Sequence, residues 1–100
     1  MNDFSSLSSI YRYLRFTKRQ TEKVKKAIEI IEEILKDTEH EVTVSNIINW
    51  MGLVIPTITV RAKFKDEEEL YKTWALIVKT IAEKLGVSTA KSIEIIVDFM

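Results

Sequence analysis

The chain has 100 residues, of which 46% are apolar and 30% are charged, a composition typical of one small globular domain or two very small ones. Because it contains no cysteine and one histidine, His40 in the polar sequence TEHE, it excludes disulfides, thiol catalysis and metal sites built on cysteine or several histidines. No apolar run reaches the roughly 20 residues that span a bilayer, and the N-terminal sequence lacks the pattern of a secretion signal. We therefore expect an intracellular protein without a membrane partner.

The charges are unevenly distributed although the net charge is zero. Residues 1–26 carry seven basic and two acidic residues, a net charge of +5, and the remaining 74 residues carry −5. A neutral chain with one basic end can bind a polyanion locally. The scarcity of Gln and Cys and the abundance of Ile, Lys and Glu favour a thermophilic source.

The first half begins with the aromatic and branched sequence IYRYLRF at residues 10–16, which predicts a strand. A seven-residue spacing of apolar side chains supports the alternative of one long helix over residues 5–37. The sequence TKRQ at residues 17–20 is typical of a capping box and places a helix start at Thr17 instead. From there, apolar positions at three-and-four spacing predict an amphipathic helix to residue 36.

The sequence VTVSNIINWMG at residues 42–52 predicts a short helix, with Thr43 as a candidate N-cap and Gly52 at its end. A strand is the alternative, because Val42 to Val44 are all β-branched. The next residues, Leu53–Ile55, are too apolar for a solvent-exposed linker, so we expect them either to extend a strand or to pack on the core.

The second half begins with TITVRAKF at residues 57–64, in which apolar and polar side chains alternate, so we predict a strand with one face on the core. Asp66 is the predicted N-cap of a helix that ends at Gly86, and the acidic residues after it suit the positive end of the helix dipole. Trp74 lies on the apolar stripe of this helix and is expected in the core. Ser88 is the predicted cap of a last short helix.

Strand, helix and short helix therefore occur twice, and the halves can be aligned with Phe16 on Phe64 and Val42 on Val87. This repeat divides the chain into residues 1–52, a connecting segment at 53–56, and residues 57–100.

The alternating strand, the helix after it and the sequence LGVSTAKSIEIIVDF together resemble the ribbon-helix-helix family of DNA-binding transcriptional regulators. The resemblance covers residues 57–100 well and extends more weakly to residues 10–52. It implies an α+β fold, a tandem ribbon-helix-helix in which a two-stranded antiparallel ribbon packs on about four helices as a fused pseudo-dimer.

The resemblance also implies roles for individual residues. The polar row of the ribbon would contact DNA bases through Thr59, Arg61, Lys63, Tyr11, Tyr13 and Arg15. The starts of the two short helices would hold DNA phosphates at Thr43, Val44, Ser45, Ser88, Thr89, Ala90 and Lys91.

The expected function is thus transcriptional regulation by a protein that binds double-stranded DNA, can associate with itself on DNA, and uses no cofactor, metal or small-molecule substrate. Regulators of this kind occur in archaeal viruses and plasmids, which implies the cytoplasm of a prokaryotic host. The sequence IAEKLGVS supports an alternative DNA-binding motif, the helix-turn-helix. A structural or protein-interaction protein that binds DNA nonspecifically, or binds another partner, is the alternative from a different class. No catalytic constellation is recognisable, so we expect no enzyme.

Overall fold

The structure, a computed structural model, describes residues 14–100. In chain order its elements are α1 (Lys18–Ile34), β1 (His40–Ile48), β2 (Val54–Ala62), α2 (Glu67–Leu85), α3 (Val87–Lys91) and β3 (Glu94–Phe99). The strands form one sheet in the order β1-β2-β3, with β1 antiparallel and β3 parallel to the central strand. The predicted α+β class is confirmed, but the described residues form a three-stranded sheet and three helices instead of a two-stranded ribbon on four.

Helix α1 begins where the capping box predicts. The Thr17 hydroxyl accepts from the Gln20 backbone N–H at 3.0 Å, and the Gln20 side-chain oxygen accepts from the Thr17 N–H at 2.9 Å. Both bonds satisfy donors that the start of a helix would otherwise leave open. The single helix over residues 5–37 is wrong in its described part, because residues 14 and 15 form a turn before Thr17.

Strand β1 occupies most of the segment predicted as a short helix, so that prediction is wrong and its strand alternative is correct. Val42 and Val44 are half-buried opposite Val60 and Ile58 of β2, whereas Thr43 and Ser45 are exposed. This period of two is that of a strand with one covered face. Pairing with β2 satisfies the backbone of a β-branched sequence that has only weak helix propensity.

Strand β2 confirms the alternating strand of the second half and extends it back to Val54, which gives Val54 and Ile55 a place in the sheet. Ile58, Val60 and Ala62 are buried, as expected of the core-facing row. Its predicted partner was the segment at residues 10–16, whereas it pairs with β1 and β3. Residues 10–13 lie outside the described residues, and residues 14–16 are not a strand.

Helix α2 also keeps its predicted limits. The Asp66 carboxylate accepts from the Glu69 N–H at 2.9 Å. The helix ends at Gly86, whose φ of 98° is a value that glycine adopts without strain because it has no Cβ. Ile77 and Ile81 are buried on the apolar stripe. Trp74 differs from the expectation of a core residue, because it is 42% exposed and its ring N–H donates to the Ile95 carbonyl at 3.2 Å.

The last segment is not a helix capped by Ser88. Helix α3 has five residues, its N-cap is Gly86, and no side chain caps it. The chain then enters β3, where Ile95 is buried beside Ile58. A parallel pair needs a long crossover connection, and α2 with α3 supplies it.

One hydrophobic core holds the two layers together, because both long helices pack on the same face of the sheet. It is built from Val24, Ala27, Ile31 and Leu35 of the first helical segment with Ile58, Val60, Ile77, Ile81, Ile93 and Ile95. The proposed repeats at residues 1–52 and 57–100 therefore both contribute to this core. The other sheet face, here called the open face, carries Thr43 and Thr59.

Candidate nucleic-acid interface

The start of α1 concentrates positive charge on its solvent side. Between residues 14 and 26 six basic residues stand against Glu22, a net charge of +5. We call these six the basic surface: Arg15, Lys18, Arg19, Lys23, Lys25 and Lys26. Within the part of the chain that the structure describes, Lys18, Arg19, Lys23 and Lys26 form no ion pair. Their charge is therefore available to an anionic partner.

This charge opposes the dipole of its own helix. The first turn of α1 contains Lys18 and Arg19 and no acidic residue. The last turn contains Glu32 and Glu33 and no basic residue. A cation near a helix N-terminus or an anion near its C-terminus costs on the order of 0.3–1 kcal/mol when exposed. The arrangement thus reduces helix stability while it separates positive from negative charge along the molecule.

A cleft of about 240 Å³ opens beside the start of α1. Its lining consists of Thr17, Arg19, Gln20, Lys23, Pro56, Ser92 and Ile93. Thr17 and Gln20 already bond to each other, and the Gln20 amide donates to the Val54 carbonyl at 3.1 Å. The Ser92 hydroxyl donates to the Thr89 carbonyl at 2.8 Å. The groups left for an anion are therefore the cations of Arg19 and Lys23, which suit a phosphate oxygen.

The predicted base-contacting residues are dispersed. Tyr11 and Tyr13 lie outside the described residues, and Arg15 lies in the turn before α1 with a positive φ of 64°. Arg61 lies on the open face, and Lys63 follows the end of β2. Each of these two cations faces a carboxylate, Arg61 at 3.8 Å from Glu41 and Lys63 at 3.0 Å from Glu39.

Three of the predicted phosphate contacts, Thr43, Val44 and Ser45, lie in the middle of β1, so the helix start on which that prediction depended is absent. Thr43 instead lies opposite Thr59, and Ser45 lies opposite Thr57. The structure therefore brings Thr59 together with Thr43 and Ser45 in one polar strip on the open face. Thr57 within this strip is buried.

The other predicted phosphate contacts lie in α3. Thr89 is 5% exposed, so its side chain is buried and does not face a phosphate. The Ala90 N–H already donates to the Gly86 carbonyl at 3.1 Å. Ser88 and Lys91 are exposed, and Lys91 precedes Ser92 at the edge of the cleft.

Sequence reasoning missed the turn between β1 and β2. Five exposed apolar side chains at the end of β1 and in this turn, here called the apolar tip, are Ile47, Ile48, Trp50, Met51 and Leu53. The Asn49 side-chain oxygen accepts from the backbone N–H of Met51 and of Leu53, each at 2.9 Å, and Gly52 adopts a φ of 80°. The signal in the sequence is a run of 19 residues, 42–60, without a charged side chain.

Among residues 14–100, no group of three or more His, Cys, Asp or Glu side chains is arranged to hold a metal ion. None of the described helices is both long and apolar enough to cross a bilayer. Comparison with protein-family models, curated sequences and solved structures gives no match to this chain.

Proposed function

We propose that the protein binds double-stranded DNA through the basic surface of α1 and acts as a DNA-binding regulator. The observation that carries this proposal is the net charge of +5 over residues 14–26, which includes Lys18 and Arg19 in the first turn of α1, where the helix dipole disfavours a cation. Lys and Arg side chains that neutralise backbone phosphates release counterions, which is the main source of sequence-independent DNA affinity.

Electrostatics favours α1 over the open face as the first contact with DNA. The open face carries the carboxylates of Glu41, Glu94 and Asp98 against the single guanidinium of Arg61. A phosphate backbone is repelled by that balance and attracted by the basic surface. The two surfaces lie on opposite faces of the sheet, so one straight duplex would not contact both.

The finer proposal is a ribbon-helix-helix type of regulator that reads bases with its strands. It is supported by the polar strip, because Thr43, Ser45, Thr59 and Arg61 share one face of an antiparallel strand pair. Such side chains can read base edges in a major groove. It requires the duplex to approach the open face, where the guanidinium of Arg61 would leave its ion pair with Glu41 and contact a base instead.

The first experiment compares two triple variants in a salt series with a labelled duplex. Lys18→Gln, Arg19→Gln and Lys23→Gln together remove charge from the basic surface, and Lys65→Gln, Lys72→Gln and Lys79→Gln remove the same charge elsewhere. We expect the first variant to lose affinity and to make the slope of log K against log salt shallower by up to about 2.7, the equivalent of three phosphate contacts. The second variant should retain the wild-type slope.

Equal losses in both variants would assign the binding to net charge alone, and absence of binding by the wild type at low salt would refute the proposal. A second arm tests base reading with a selected site and a random duplex. If the strip reads bases, Arg61→Ala weakens the selected site by roughly 1–3 kcal/mol more than the random one. Unchanged affinity for both duplexes would show that the open face does not contact DNA and would leave α1 as the DNA contact.

A further inference from the structure

The apolar tip has no role in the DNA contact proposed above. Trp50 is 91% exposed, and Ile48, Met51 and Leu53 are each more than half exposed. The five residues of the tip together expose on the order of 600 Å², mostly apolar, at the upper end of the largest patch that a monomer usually leaves in water. A patch of this size is often functional.

The tip is convex. Ile47 and Ile48 are neighbours in β1 and point to opposite sides of the sheet, yet both are exposed. The strand pair therefore extends beyond the helices at this end, and the turn from Asn49 to Gly52 is fixed by its own hydrogen bonds. A partner must surround the tip in order to bury it.

The basic surface lies at the same end of the molecule. The Gln20 amide of α1 reaches the Val54 carbonyl at the base of the hairpin, and the Asn46 amide donates to the Leu14 carbonyl at 2.8 Å. The cleft places Arg19 and Lys23 beside Pro56. The acidic second half of α1 lies at the other end, since it leads to His40, which pairs with the last residue of β2.

These features discriminate between partners. Two copies that met tip to tip would bring two basic ends together, and the tip's area is below the roughly 800 Å² per partner of a standard protein interface. DNA offers phosphates to the cations, but its polar backbone would leave the five apolar side chains of the tip without an apolar partner. An anionic bilayer offers both an apolar interior and phosphate headgroups, and Trp is a preferred residue at that boundary.

We infer that the apolar tip inserts into the interfacial layer of an anionic lipid bilayer, with Arg15, Lys18 and Arg19 on the lipid phosphates. Tip and cations act together: neither a shallow apolar loop nor a few surface cations alone gives stable anchoring. This goes beyond DNA binding, and because the cations are shared, DNA and anionic vesicles compete for the protein.

The test is flotation with vesicles of phosphatidylcholine alone or mixed with phosphatidylserine. We expect binding to the mixed vesicles only, and a loss of roughly tenfold or more in the double variant Trp50→Ser and Met51→Ser. The matched control is Tyr71→Ser and Leu76→Ser, which removes two exposed apolar side chains from α2 and should bind as the wild type does. Circular dichroism checks that each variant is folded.

Depth is measured by quenching of tryptophan fluorescence with brominated lipid. The wild type should be quenched, and Trp50→Phe, which retains only Trp74, should not be. Vesicle binding that survives Trp50→Ser with Met51→Ser, but not the triple variant Lys18→Gln, Arg19→Gln and Lys23→Gln, would overturn insertion in favour of surface adsorption.

Two other results would also overturn the inference. A tip variant that loses DNA affinity would make the tip a DNA contact, and one that converts a dimer to a monomer would make the tip a contact between copies. Failure of vesicle binding with intact DNA binding refutes this inference alone, and loss of DNA binding with intact vesicle binding refutes only the DNA proposal.

Discussion

His40, the first residue of β1, contacts the preceding loop through one ring nitrogen and the last turn of α1 through the other. Nδ1 lies 2.6 Å from the Thr38 carbonyl, and Nε2 contacts the Glu32 carboxylate. A neutral imidazole can donate from only one nitrogen, whereas the imidazolium donates from both. The backbone bond to Thr38, followed by the bond to Glu32, therefore raises the pKa of His40 above 6.5.

The raised pKa predicts a stability that depends on pH. Because the folded state holds the proton more tightly than the unfolded state, the stabilisation is complete below about pH 6.5 and is lost as the pH rises through the folded pKa. Melting temperatures measured across this window should fall with rising pH in the wild type. His40→Gln should flatten the profile and Glu32→Gln should reduce its slope. A His40→Gln protein with the wild-type slope would assign the pH dependence to other groups.

Thr17 makes a second prediction at the scale of a residue. Its hydroxyl is the acceptor of the capping box, so Thr17→Ala should destabilise the protein by about 1 kcal/mol and lower the melting temperature by about 4–8 °C. Thr17→Ser keeps the oxygen and should lose little, which distinguishes the cap from packing of the methyl group. A Ser variant as unstable as the Ala variant would contradict the capping role.

At the scale of the element, α1 combines a well-formed cap with charges placed against its dipole. The cap satisfies the first backbone donors, and the burial of Val24, Ala27 and Ile31 anchors the helix on the sheet. The helix can therefore tolerate the cost of Lys18 and Arg19 in its first turn. If these charges serve DNA binding at the expense of stability, removing one should weaken DNA binding and raise the free energy of unfolding.

Lys18→Glu tests this trade-off. Replacing a cation by an anion at the helix start should raise the free energy of unfolding by about 1 kcal/mol and weaken DNA binding. Lys36→Glu, beyond the other end of α1, should lower stability slightly and leave DNA binding unchanged. Chemical denaturation and a duplex titration measure both effects. A Lys18→Glu protein that binds DNA normally would remove this residue from the interface.

At the scale of the whole molecule, one core joins the two halves of the chain. Ile31 of α1 and Ile58 of β2 are fully buried in the same cluster, and β2 lies between β1 and β3. Neither half can bury its apolar face without the other. Unfolding should therefore be a single cooperative transition.

A fragment of residues 53–100 tests this dependence. It would lack β1 and α1, so the core face of β2 would be partly exposed, and we expect no cooperative melting by circular dichroism. In the full chain, Ile31→Ala and Ile58→Ala should each cost about 2–5 kcal/mol and shift the same transition. A fragment that melts cooperatively would instead support two independent repeats.

Local chemistry in the sequence was enough to place α1, α2 and β2. Thr17, Asp66 and Gly86 set helix ends through bonds and backbone angles within a few residues, and the alternation of residues 57–64 specifies a strand with one covered face. The positive charge of α1 was also predictable, because counting charged residues along the chain does not depend on the fold.

Tertiary structure alone decided β1 and β3. Ile47, Ile48 and Met51 fit a helical spacing, and only pairing with β2 selects the extended chain at residues 40–48, since strand stability comes from a partner that can be distant in sequence. The same holds for the sites. Thr59 and Thr43 meet only through that pairing. The apolar tip lies beside the basic surface because the Gln20 amide donates to the Val54 carbonyl, 34 residues away, and the Asn46 amide to the Leu14 carbonyl, 32 residues away.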